Sequence, residues 1–120
     1  MVTPLEFPGG DIGRLAVIGT ANDLAMAGAR PRHLSVALIL EEGLELTLLR
    51  RIVASMRAAA DLCDVSIETG DTKVVERGRA DGLYISTSGI GVLESSTPIG
   101  PLAVAAGDAL LVSEIGRAHV

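Results

Sequence analysis

The chain has 120 residues, 48% of them hydrophobic but only 2% aromatic, so it can form one domain with an aliphatic core. Its formal net charge of -5 argues against a nucleic-acid-binding protein, because phosphate backbones require clustered Lys and Arg. No window reaches the roughly 18 consecutive apolar residues of a membrane span, and the single cysteine, Cys63, fits the reducing cytoplasm that we predict as its location.

The first half of the chain predicts a helix between two strands. Residues 2–7 are typical of the end of a strand, and residues 7–10 form a glycine-containing loop. Asp11 is a good N-cap, and residues 13–29 are almost all small and apolar, which predicts a buried helix. Residues 34–40 are mostly apolar at odd-numbered and at even-numbered positions alike, as in a strand that is buried on both faces.

The second half predicts one more helix, two more strands and the start of another. Apolar residues recur at helical spacing over residues 49–60, which makes this the clearest element. Residues 65–69 and 83–88 alternate as half-buried strands do, and residues 109–112 resemble the start of another strand. Glu41 and Glu42, between strand and helix, are more typical of a solvated strand end than of an acid/base pair.

The order strand, helix, strand, helix, strand, strand predicts the fold class. It indicates an α/β domain of the α+β type, in which helices pack on one face of a sheet. The last seven residues, 114–120, back-translate readily to the start of a common sequencing adapter. We therefore expect Ser113 to be the last native residue and residues 114–120 to be a non-native tail.

Two short stretches carry most of the chemical information. The first ends in Asn22 and Asp23, where a carboxylate without a cationic neighbour either faces a cation or a cavity, or lies at an exposed helix break. The second contains Asp71 and Lys73, which follow a predicted strand end, where ligands often bind in α/β folds. From the residues alone, an ordinary turn explains that stretch slightly better. If the two stretches converge, their carboxylates and lysine suit a magnesium–nucleoside triphosphate site.

These stretches together resemble the N-terminal domain of HypE, a family of hydrogenase maturation proteins. HypE belongs to the aminoimidazole ribonucleotide (AIR) synthetase-like, or PurM-like, superfamily. Asn-Asp at residues 22–23 and Gly-Asp-Thr at residues 70–72 are shared across that superfamily. Leu-Glu-Glu-Gly at residues 40–43 and Thr-Gly-Asp-Thr-Lys-Val-Val at residues 69–75 are specific to HypE. The match runs from Phe7 to Ser113, so residues 1–113 resemble an incomplete PurM-like N-terminal ATP-binding domain.

The resemblance implies a mixed sheet, a homodimer formed through that sheet, and bound ATP and Mg²⁺. It implies Asp23 and Asp71 as metal ligands, and it implies these nucleotide-binding residues: Asn22, Asp23, Gly70, Asp71, Thr72 and Lys73. It also implies an enzyme that uses ATP to dehydrate an S-carbamoyl group, on a cysteine at its own C-terminus, to a thiocyanate. That product supplies cyanide ligands for [NiFe]-hydrogenase. The implied partners are the carbamoyltransferase HypF and the HypC–HypD complex.

Departures from the family pattern limit these implications. The family's N-terminal glycine-rich segment, its early acidic ATP-site residue, its second domain and its terminal cysteine are absent from these 120 residues. No catalytic residue is therefore assignable, and we expect the chain alone to be inactive. Two alternatives stay open: another PurM-like ATP-using enzyme, of the thiamine-phosphate kinase, selenophosphate synthetase or AIR synthetase type, and a non-catalytic module for dimerisation or partner binding.

Overall fold

A computed structural model of the chain describes residues 2–94 and 99–111. Its elements, in chain order, are β1 (Glu6–Phe7), β2 (Gly10–Asp11), α1 (Ile12–Met26), β3 (Ala29–Glu41), α2 (Leu46–Leu62), β4 (Ser66–Val75), β5 (Leu83–Leu93) and a 3-10 turn (Pro101–Ala103). Strands β1 and β2 form a short antiparallel hairpin. Among the helices of residues 2–94 and 99–111, none combines the length and the hydropathy of a membrane span.

The main sheet has three strands in the order β4-β3-β5. The central strand β3 runs parallel to β4, with Leu38 opposite Thr72, and antiparallel to β5, with Leu38 opposite Ile85. The parallel pair is connected through α2, because parallel strands need a crossover rather than a tight turn. This arrangement confirms the predicted mixed sheet of α+β type.

Both helices pack on one face of the sheet, as predicted. The core lies between the helices and the sheet. Leu34 and Val36 of β3 are buried in one hydrophobic cluster with Val17 of α1 and with Ile52 and Met56 of α2. Because side chains alternate along a strand, the intervening residues of β3 point to the opposite face, where the described part of the chain places no helix. The prediction that β3 is buried on both faces is therefore wrong for the single chain.

Helix α1 starts where the sequence predicts and ends earlier. The Asp11 carboxylate caps it by accepting a hydrogen bond of 2.9 Å from the Arg14 N–H. The helix ends at Met26 rather than residue 29, because Gly28 adopts a left-handed φ of 75° and the next residue already belongs to β3. Leu15 is 48% exposed, so only one side of α1 is covered, and the prediction of a fully buried helix is also wrong.

Strands β4 and β5 extend beyond their predicted ends. β4 continues from the predicted end at residue 69 to Val75, and β5 continues from residue 88 to Leu93. In β5, Gly91 lies beside a bulge in β3, where a Cβ atom would come within 2.7 Å of the Arg30 carbonyl oxygen. The predicted strand at 109–112 does not form over residues 109–111, whereas Val112 and the predicted tail 114–120 lie outside the described residues.

Candidate functional site

Asn22 and Asp23 lie on the exposed surface of helix α1. Both side chains are exposed, and within the described residues neither makes a side-chain hydrogen bond or an ion pair. The helix continues without a break past Gly19. Asp23 is therefore an exposed carboxylate on an intact helix, free of the desolvation cost that a buried charge would carry.

Gly70, Asp71, Thr72 and Lys73 lie inside strand β4 rather than after its end. The sequence predicted a loop here, and the difference arises because β3 provides a partner for every residue from Ser66 to Val75 apart from Glu68, where the register shifts. Asp71 and Lys73 pair with the exposed Ala37 and the partly exposed Ile39, so their side chains leave the sheet away from the helices. The Asp71 carboxylate accepts a hydrogen bond of 2.8 Å from the Thr72 N–H.

The surface of the sheet away from the helices is called the open face here. It contains Ser35, Ala37 and Ile39 of β3, Asp71 and Lys73 of β4, and Tyr84, Ser86 and Ser88 of β5. Near one end of this face, His33 Nδ1 lies 2.9 Å from Glu68 Oε1. The open face is therefore mostly polar and small, with two predicted site residues on its β4 edge.

One copy of the chain does not bring the two predicted metal ligands together. Helix α1, which carries Asp23, packs mainly on α2, β5 and β3 on the helical side of the sheet. Asp71 lies on the opposite side, on the edge strand. Residues 2–94 and 99–111 contain no group of three or more His, Cys, Asp or Glu side chains that could hold a metal ion. The assignment of Asp23 and Asp71 as Mg²⁺ ligands stays a prediction, and in one copy of the chain the two carboxylates lie on different sides of the sheet.

Hydrogen bonds of two threonines join β5 to the helical turn that precedes Asn22 and Asp23. The Thr87 hydroxyl of β5 donates to the Ala16 carbonyl oxygen at 3.2 Å, and it lies 2.6 Å from the Thr20 hydroxyl of α1. Because the Thr87 proton is used in the first bond, the Thr20 hydroxyl donates in the second. Sequence reasoning missed this pair, although a threonine on the core-facing side of a strand was the available signal.

The geometry of the sheet and helices agrees with comparisons to known proteins. Residues 1–93 match the family of AIR synthase related proteins, N-terminal domain. The chain belongs to this family.

Within this family, the chain is most informatively compared with curated relatives named HypE. The chain is 55% identical over 119 residues to the carbamoyl dehydratase HypE of Rhodobacter capsulatus. The alignment covers 99% of this chain and 35% of the relative. It thus spans about a third of the length of the curated relatives it matches. The resemblance to HypE drawn from the sequence motifs is confirmed.

Solved structures of HypE share this fold. One is a crystal structure of hydrogenase maturation protein HypE in complex with ATP, whose sequence is 60% identical to this chain. The two structures superpose with a TM-score of 0.76, and the match covers 77% of this chain and 28% of the HypE chain. A crystal structure of a HypE–HypF complex is 55% identical, with a TM-score of 0.79, covering 81% of this chain and 32% of that chain.

Proposed function

We propose that this chain is the ATP-binding domain of an ATP-dependent carbamoyl dehydratase of the HypE type. The observation that carries the proposal is the 60% identity to a HypE that was crystallised with ATP. The two motifs specific to HypE, at residues 40–43 and 69–75, favour it over the other PurM-like enzymes. We place the protein in the cytoplasm, where a single cysteine stays reduced.

The proposed reaction removes water from a carboxamide. An S-carbamoyl-cysteine is converted to a thiocyanate, and ATP becomes ADP and phosphate. The carboxamide oxygen leaves as part of the phosphate, and the nitrogen loses its two protons as the nitrile forms. The accepting cysteine is proposed to be the C-terminal residue of the whole protein, so Cys63 of this chain has no part in the reaction.

We propose that Asn22, Asp23, Gly70, Asp71, Thr72 and Lys73 bind the nucleotide. Lys73 supplies positive charge for phosphate, and Gly70 leaves the β4 backbone accessible. Since Asp71 and Lys73 project from the open face, a second copy packed against that face would lie directly beside them. A homodimer through the open face is therefore the arrangement we propose for completing the site, with Mg²⁺ held between carboxylates that one chain keeps apart.

The composition of the open face supports such a homodimer. Its β3 and β5 residues are mostly small, including Ala37, Ser86 and Ser88, so a second sheet can approach closely. Ile39 is 38% exposed in the single chain and would be covered by the second copy. Packed sheets lie about 10 Å apart, a distance that small side chains readily fill.

The proposed partners follow from HypE. A HypE has been crystallised in complex with HypF, and we propose a HypF-type carbamoyltransferase as the protein that supplies the carbamoyl group. We propose a HypC–HypD complex as the acceptor of the cyanide.

The test is Mg–ATP binding to the whole protein, measured by calorimetry. Asp71→Asn should weaken binding at least about tenfold, equivalent to about 1.4 kcal/mol, because it removes a negative charge beside the metal and phosphates. Asp61→Asn is the matched control, since Asp61 is an exposed carboxylate on α2, with a 4.0 Å ion pair to Arg57. Equal affinities for wild type and Asp71→Asn would refute the role of Asp71.

A further inference from the structure

Glu41, the last residue of β3, uses both carboxylate oxygens within the fold. Its Oε1 accepts a hydrogen bond from the Gly78 N–H, and its Oε2 accepts one of 2.9 Å from the Gly82 N–H. The side chain is half-buried, although the sequence predicted a solvated strand end. One carboxylate thus holds two points of the segment that connects β4 to β5.

That segment, residues 76–82, is called the β4–β5 loop here. Gly78 and Gly82 both have left-handed φ values, 79° and 82°, so their N–H groups have directions that other residues rarely adopt. The main chain adds two bonds at the same place. The Glu41 N–H donates to the Gly82 carbonyl at 2.8 Å, and the Glu42 N–H donates to the Val75 carbonyl at 2.9 Å.

The surroundings keep Glu41 ionised at neutral pH. The two backbone N–H bonds, with a smaller contribution from the positive charge of Arg77, hold the pKa of Glu41 below its ordinary value of 4.5. Other titratable groups around this side chain are Glu42, Glu45 and Tyr84, and the segment 76–82 itself carries Glu76, Arg79 and Asp81. An ionised carboxylate forms stronger hydrogen bonds to backbone N–H groups than a neutral amide does.

Strand β4 is an edge strand of the sheet. Within the described chain its only sheet partner is β3, and its ten residues are exposed apart from the half-buried Val75. Lys73 is two residues before Val75, where the Glu42 N–H holds the end of the strand. A loose β4–β5 loop would allow this end of β4 to separate from β3 and would displace Asp71 and Lys73.

We propose that Glu41 is a positioning residue for the nucleotide site. Its carboxylate fastens the β4–β5 loop and thereby holds the part of β4 that carries Asp71 and Lys73 on β3. The loop-fastening part, that Glu41 holds the β4–β5 loop, rests on the contacts of Glu41 alone. The nucleotide part, that Glu41 thereby positions Asp71 and Lys73 for ATP, rests on the function proposed above.

The test compares Glu41→Gln with Glu42→Gln in the whole protein. Glu42 is the matched control, because it is the exposed neighbour and its side chain makes no hydrogen bond within the described residues. Hydrogen exchange in a peptide spanning the β4–β5 loop should become at least about tenfold faster in Glu41→Gln, the equivalent of one lost charge-assisted bond. It should stay at the wild-type rate in Glu42→Gln. Unchanged exchange in Glu41→Gln would overturn the loop-fastening part.

A pH series on the wild-type protein tests the loop without any substitution. Because the pKa of Glu41 is lowered in the fold, its contribution is complete above the ordinary value of 4.5 and is lost as the pH falls through the lower folded value. Exchange of the loop amides, corrected for intrinsic rates, should accelerate in that acidic range. In Glu41→Gln, the corrected exchange should not respond there; an equal response in both proteins would contradict the proposal.

Affinity for Mg–ATP tests the nucleotide part. Glu41→Gln should raise the Kd several-fold and Glu42→Gln should not. Faster loop exchange with an unchanged Kd would overturn the positioning role. If the wild-type protein does not bind Mg–ATP, the positioning role falls together with the proposed function, while the exchange data still decide whether Glu41 fastens the loop.

Discussion

The crossing of α1 and α2 depends on Gly13. This residue is buried in α1, and a Cβ atom at its position would lie 2.6 Å from the Ile52 carbonyl oxygen and 2.7 Å from the Met56 Cγ. The Met56 side chain can move, but the Ile52 oxygen belongs to the backbone of α2. The helices must therefore separate to accept even one methyl group.

The cost of Gly13→Ala follows from two opposing effects. Overpacking a tightly packed core costs up to about 3 kcal/mol, and the upper value applies because the obstructing atom is backbone. Replacing glycine by alanine inside a helix recovers about 1 kcal/mol. The net expectation is a loss of about 2 kcal/mol in the free energy of unfolding.

Gly19→Ala is the matched control in the same helix. Nothing lies within 4 Å of a Cβ atom at Gly19, so only the gain in helix propensity remains, about 1 kcal/mol of added stability. Urea unfolding of the 120-residue chain, followed by circular dichroism, should show opposite signs for the two variants. Equal stabilisation by both would refute the close helix crossing.

Three further predictions concern other contacts. Thr87→Val should cost about 1–3 kcal/mol of stability, because Thr20 loses its partner in a half-buried environment, whereas Thr47→Val on the exposed surface of α2 should be nearly neutral in the same urea assay. The pKa of Glu6 is lowered by its hydrogen bonds to Arg51, so this stabilisation is complete above the ordinary value of 4.5 and is lost as the pH falls through the lower folded pKa. Arg51→Met should therefore reduce the stability lost on acidification, and Arg50→Met should not; equal losses would contradict the pairing. Ile39→Lys should convert the proposed homodimer to a monomer in light scattering by burying charge at the open face, while Val53→Lys on α2 should not; a dimer that survives Ile39→Lys would exclude this interface.

The fold was predictable because periodicity and caps are local signals. The apolar spacing around Ile52 and Met56 identified α2, and Asp11 marked the start of α1. The full length of β4 was not predictable, because Gly70, Asp71 and Thr72 have the composition of a turn and form a strand only through pairing with β3. Strand propensity depends on neighbours that the local sequence does not reveal.

The arrangement of the proposed site residues was not predictable from the sequence. Asp23 and Asp71 were proposed as ligands from motifs, but Asp71 lies on the open face because of its register with β3, whereas Asp23 lies on α1 at the other side of the sheet. The two hydrogen bonds of the Glu41 carboxylate were missed, because its partners Gly78 and Gly82 are 37 and 41 residues away along the chain. No local pattern reports such long-range hydrogen bonds.

The most direct test of the proposed carbamoyl dehydratase is a mass measurement on the whole protein. The protein carrying an S-carbamoyl group on its terminal cysteine is incubated with Mg–ATP, and the intact mass and the ADP formed are followed together. The account predicts that the protein loses the mass of one water molecule, with one ADP formed for each nitrile. ATP consumption without that loss of mass, or a carbamoylated protein that stays unchanged with ATP bound, would contradict it.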